Sequence, residues 1–71
     1  MPELDGFSAK EVIKILQKMG FKWNRTKGSH AILQSGSKVC VVPLHKELLV
    51  GTLKGILRQA GISTKEFLKN A

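Results

Sequence analysis

The stretch Arg25-Thr26-Lys27-Gly28-Ser29-His30 places an imidazole behind a Gly-Ser bend and two cations, and an apolar run beginning Ala31-Ile32-Leu33 follows it. Histidine both accepts and donates a proton near neutral pH, and neighbouring cations hold a negatively charged substrate against it. The second histidine, His45, follows Val42-Pro43-Leu44. The five acids are scattered and form no acid/base pair, so His30 and His45 are the only credible proton carriers near pH 7. A Gly-Ser turn beside a solvated histidine also occurs in small domains without activity, so the spacing alone does not establish a site.

Other chemistries find little support. Neither histidine has a second candidate ligand three or four positions away, so no metal site is expected. There is no phosphate-loop pattern, and the glycines are too dispersed for a dinucleotide fingerprint, so no nucleotide or other small-molecule cofactor is expected. Cys40 lies inside Val39-Cys40-Val41-Val42 and reads as a small buried hydrophobe rather than a nucleophile.

Charge narrows the class of partner. Twelve Lys and Arg against five Asp and Glu leave a formal charge of +7 on 71 residues. Such a surplus favours a polyanion: nucleic acid first, an anionic membrane or acidic protein second. Lys10, Lys14, Lys18, Lys22, Arg25, Lys27 and Lys38 face only one acid, Glu11, in that interval, so the field should gather around the first helix and the Gly28 turn. No apolar run approaches the length of a membrane span and no targeting segment is visible, so a cytoplasmic protein without membrane association is expected. The length fits one domain over residues 1–71 with a modest core, which favours surface chemistry over an enclosed pocket.

The elements that must position these residues are legible in outline. After a lead over Met1 to Phe7, Ser8 and Glu11 form a capping-box pattern that starts a helix running to about Met19, and Gly20 closes it. Val12, Ile13, Ile15, Leu16 and Met19 make its apolar arc, with Lys10, Lys14 and Lys18 opposite. Phe21 to Arg25 alternates as a strand, with Phe21, Trp23 and Arg25 on one face. Trp23, the only tryptophan, is expected in the core or at its edge rather than as a stacking surface for a base.

His30 to about Ser35 and Lys38 to Pro43 form the next two strands, joined at Ser35-Gly36-Ser37. The third strand is apolar on both faces and is therefore expected to be the central or best-covered one. Leu44 to Leu49 connects to a second helix, with Gly51-Thr52 near its start, Leu53, Ile56, Leu57 and Ala60 on its buried stripe, and Gly61 as its stop. Ser63 and Glu66 begin a short last helix to about Lys69. The sum is a two-layer α+β domain in which helices cover one face of a three-stranded antiparallel sheet and leave the other open to a polyanion.

Three blocks, Arg25-x-Lys27-Gly28-Ser29-His30, then Val42-Pro43-x-His45, then Gly51-Thr52-Leu53-x-x-Ile56-Leu57-Arg58-x-Ala60-Gly61, together closely resemble the HicA (YcfA-like) toxins of toxin-antitoxin systems. The resemblance covers roughly residues 8 to 62. It implies a double-stranded-RNA-binding-like α-β-β-β-α fold, here with a short extra C-terminal helix. It also implies an mRNA interferase that cleaves RNA without metal and is neutralised by a HicB-type antitoxin. In that family the histidine of the Gly-Ser-His block is catalytic, which falls on His30. Around it, Arg25, Lys27, Gly28, Ser29 and His45 are the candidate RNA- and phosphate-contacting residues. His45 is either a second proton carrier or a residue that caps the strand after Pro43, with the structural role favoured. A non-catalytic RNA-binding module of the same fold, or a domain docking an acidic protein, are the rival readings.

Overall fold

A computed structural model describes residues 2–71; the first residue of the expected lead, Met1, lies outside them. A 3-10 turn at Pro2–Leu4 leads to α1 (Ala9–Lys18), then β1 (Lys22–Lys27), β2 (His30–Ser35), β3 (Lys38–Pro43), α2 (Val50–Ala60) and α3 (Thr64–Lys69). The three strands form one antiparallel sheet in the order β1-β2-β3.

The ends of α1 are set by local chemistry. Ser8 Oγ accepts from the Glu11 amide at 3.1 Å and the Glu11 carboxylate accepts from the Ser8 amide at 2.9 Å, a complete reciprocal cap. Gly20, at φ 99°, turns the chain out of the helix. Ser63 caps α3 by accepting from the Glu66 amide at 3.1 Å. By contrast α2 starts at Val50, just ahead of Gly51-Thr52, with Leu49 as an N-cap that contributes no side-chain bond. It stops on Gly61 in the left-handed conformation, as its sequence predicts.

The helices cover one sheet face. Ala31 and Leu33 of β2 and Cys40 and Val42 of β3 are wholly buried there, against Val12, Ile13, Ile15 and Leu16 of α1 and Leu53, Ile56 and Leu57 of α2. Phe67 of α3 closes the end of this core and meets Phe7 edge to face at 5.1 Å between ring centroids. The opposite face carries His30, Ile32 and Gln34 of β2 and Val39, Val41 and Pro43 of β3, all half-buried or exposed.

Three sequence expectations are corrected. First, β3 lies at an edge and β2 is central. The other alternative for β3 holds, since it is the strand the helices cover most: α2 packs principally on it, and Gln59 Oε1 accepts from the outward amide of Val41 at 3.2 Å. Second, simple alternation fails in β1. Trp23 pairs with Leu33 but Arg25 pairs with Ile32, so Asn24 is an extra residue, a β-bulge that puts Trp23 and Arg25 on opposite faces. Third, Trp23 is outside the core: it lies on the helix side of an edge strand and is 43% exposed.

Candidate functional site

The site begins with a turn. Lys27 and His30 are paired across the two-residue loop Gly28-Ser29, and Gly28 has φ 60°. Positive φ at the first loop residue and not the second is the type II′ pattern, whose twist matches that of the flanking strands. Ala31 points into the core, so by strand alternation His30 points to the open face. Its cross-strand neighbours are Lys27 on one side and Pro43 on the other. Arg25 lies two residues before Lys27 and pairs with Ile32, so it shares that face. Three of the candidate residues, Arg25, Lys27 and His30, are thereby gathered on one exposed patch, with Ile32 and Val41 as its apolar middle.

The patch is polar at the other end of β1 as well. Asn24 Nδ2 donates to Gln34 Oε1 at 2.7 Å, and Gln34 Nε2 donates to the Gly36 carbonyl at 2.9 Å. Lys22 pairs with Gln34 on this same side. The bulge residue and the central strand are thus tied together beside the cations. Spacing gave no signal for Asn24 and Gln34, since neither titrates and their meeting depends on the bulge.

Gly28 and Ser29 form the exposed tip, and the Ser29 carbonyl accepts from the Leu44 amide at 2.7 Å, which fixes the turn to the end of β3. The His45 side chain is exposed and its backbone is committed. Its carbonyl accepts from the Ala9 amide at 3.1 Å, and its amide donates to Pro43 at 2.8 Å in a three-residue turn. This ties the β3–α2 connection to the first turn of α1 through the main chain alone.

Cys40 takes no part in the patch. It is wholly buried, and burial pushes its thiol up from 9.0 to about 11, so it is neutral and shielded at neutral pH. Among the described residues no three His, Cys, Asp or Glu side chains come together in a group that could hold a metal ion. An exposed imidazole beside two cations, on a flat sheet face, is suited to an extended anionic substrate rather than to a small molecule that needs enclosure.

The family model described as the HicA toxin of bacterial toxin-antitoxin matches residues 9–62. The chain belongs to the HicA toxin family. The match starts on the first residue of α1 and ends just beyond the C-cap of α2, so the HicA unit is the α-β-β-β-α core, with α3 as an addition. Membership makes the chain the toxin of a toxin-antitoxin pair, with an antitoxin as its partner, and HicA toxins are generally ribonucleases. No curated protein matches the chain at significant similarity. Among the described residues no helix is long and apolar enough to cross a membrane.

Proposed function

We propose that this HicA chain is a metal-independent endoribonuclease that cleaves mRNA in the cytoplasm, with residues 1–71 acting as one toxin domain. The observation that carries the reading is the pairing of Lys27 with His30 across the Gly28-Ser29 turn, with Arg25 on the same face. RNA contains its own nucleophile. The 2′-oxygen attacks the adjacent phosphorus as its proton is taken, the bond to the 5′-oxygen breaks, and a 2′,3′-cyclic phosphate and a 5′-hydroxyl remain. Such a reaction needs in-line positioning, a proton carrier and neutralisation of charge on the phosphoryl oxygens.

His30 carries the proton, first from the 2′-hydroxyl and then to the departing 5′-oxygen. Arg25 and Lys27 clamp the phosphate from the neighbouring strand, and the Gly28 and Ser29 amides at the tip provide a nest for its oxygens. General acid-base catalysis by one side chain contributes about 10² to 10⁴ in rate, and positioning adds to it. A HicB-type antitoxin silences the toxin, and the net charge of +7 suits an acidic inhibitor.

The test is incubation of the purified chain with an unstructured RNA in EDTA. Cleavage is expected to survive chelation and to vanish in His30→Ala with the far-UV spectrum unchanged. Binding without cleavage by the folded, unsubstituted chain would instead establish an RNA-binding module in which His30 only contacts the backbone.

A further inference from the structure

Trp23 belongs neither to the core nor to the His30 patch, and its surroundings define a place of their own. Its ring is exposed yet held: Nε1 donates to Thr26 Oγ1 at 3.0 Å. In an unbulged strand residues three apart lie on opposite faces, so this bond exists because of the Asn24 bulge. The ring borders a trough of about 450 Å³ between α1 and β1, where Lys10 and Lys14 add positive charge, buried Ile13 lies at the floor, and the one acid of the lining, Glu11, has its carboxylate engaged by the Ser8 amide. The trough continues past Trp23 toward Leu44, His45 and Lys46.

A fixed aromatic face beside a row of cations is the arrangement by which single-stranded nucleic acid is held, bases stacking on the ring while phosphates follow the charges. The trough is also contiguous with the proposed cleavage patch. Trp23 and Arg25 flank the bulge on opposite faces of β1, and β1 is an edge strand, so a polynucleotide at Arg25 and Lys27 reaches Trp23 by passing over that edge. An acidic protein segment would use the lysines but gives no role to an orientated, half-exposed indole; RNA uses both.

We infer that this trough is a second RNA subsite, in which an unpaired base near the nucleotide at His30 stacks on Trp23 while Lys10 and Lys14 contact the adjoining phosphates. The inference rests on RNA being the ligand of the His30 patch, but not on His30 being catalytic. It also sets a preference: a base inside a duplex is stacked on both sides and has no face to offer Trp23, so the flank of the cleaved bond must be single-stranded.

Trp23 is the only tryptophan and the chain has no tyrosine, so its emission reports on this trough alone. The probe is a single-stranded 2′-O-methyl oligoribonucleotide, which lacks the free 2′-hydroxyl needed for cleavage, with binding followed in parallel by anisotropy of a labelled end. Binding is expected to quench Trp23 in the unsubstituted chain and, once oligonucleotide is saturating, in His30→Ala as well, whatever affinity is lost with the imidazole, and the same oligonucleotide in a full duplex is expected to quench little. Trp23→Ala should weaken single-strand binding roughly tenfold, the scale of one lost stacking contact, and Trp23→Phe should recover most of it. Quenching without any cleavage of natural RNA would support the subsite while removing the catalytic reading. Bound oligonucleotide with unchanged emission, equal affinity in Trp23→Ala with an unchanged far-UV spectrum, or emission that responds only to an acidic protein would each overturn it.

Discussion

The amide of Ala9, first residue of α1, donates to the carbonyl of His45 at 3.1 Å. One of the orphan donors of the helix is thereby satisfied by a backbone group from the β3–α2 connection. A second link, from the Leu48 amide to the Phe7 carbonyl at 2.8 Å, lies beside it. The connection carrying His45 is held by its main chain, which leaves its exposed imidazole free of any structural duty.

It follows that His45→Ala should keep both links. The variant is expected to lie within about 0.5 kcal/mol of the unsubstituted chain in urea denaturation, as for other exposed substitutions. Its RNA cleavage should fall less than tenfold. A stable variant with a larger loss would make His45 the second proton carrier.

Gly28 sets the geometry of the Lys27–His30 pair. Nothing lies within 4 Å of a Cβ built there, so the cost of Gly28→Ala comes from φ 60° alone. A destabilisation of about 1–3 kcal/mol is expected. Gly28→Asn should cost about as much, because the first loop position of a type II′ turn lies outside the αL region that asparagine tolerates. Denaturant midpoints of the two variants decide the matter.

Removing Arg25 or Lys27 should leave the fold intact, since both are exposed, and should act on binding through phosphate contacts. With single-stranded RNA each lost contact lowers the slope of log affinity against log salt by about 0.7. Arg25→Ala and Lys27→Ala, titrated by anisotropy at several salt concentrations, are each expected to show that decrement. An unchanged slope would remove the residue from the interface.

Cys40 makes stability depend on alkaline pH. Its thiol ionises at about 11 in the fold against 9.0 as the ordinary value. Between those values the unfolded chain has lost the proton that the folded chain still holds, so stability falls as pH rises from 9 toward 11, by up to about 3 kcal/mol. Below pH 9 the thiol contributes no slope. Cys40→Ala should lack this component, and comparing denaturation of the two chains at pH 8 and pH 10 separates it from lysine titration.

The parts of this molecule that were readable in its sequence are those decided within a few residues. Ser8 with Glu11, Ser63 with Glu66, Gly20 and Gly61 each act on their own helix end, and Gly28 and Gly36 sit in turns that require positive φ. The faces of β1 were not readable, because a bulge needs no signature residue and Asn24 carries none. Strand order was not readable for a related reason: Val39, Cys40, Val41 and Val42 show that both faces of β3 are apolar, but not that β3 lies at an edge with α2 over it. The rarity of aromatic residues suggested that Trp23 belonged inside, yet aliphatic side chains and Phe67 fill that core without it. The chemical patch was legible because the turn that creates it is local; the trough was not, because it depends on α1 meeting β1.

Gln59 has a consequence for self-association. Along β3 the Val41 amide is already engaged by Gln59, and Pro43 has no amide to offer, so this side of the sheet is closed to another strand. Only β1 presents a bare margin. Two copies joined there would each turn a blocked margin outward, and a third could not add. The fold therefore disfavours an endless ribbon of strands: edge-on growth would stop at a pair.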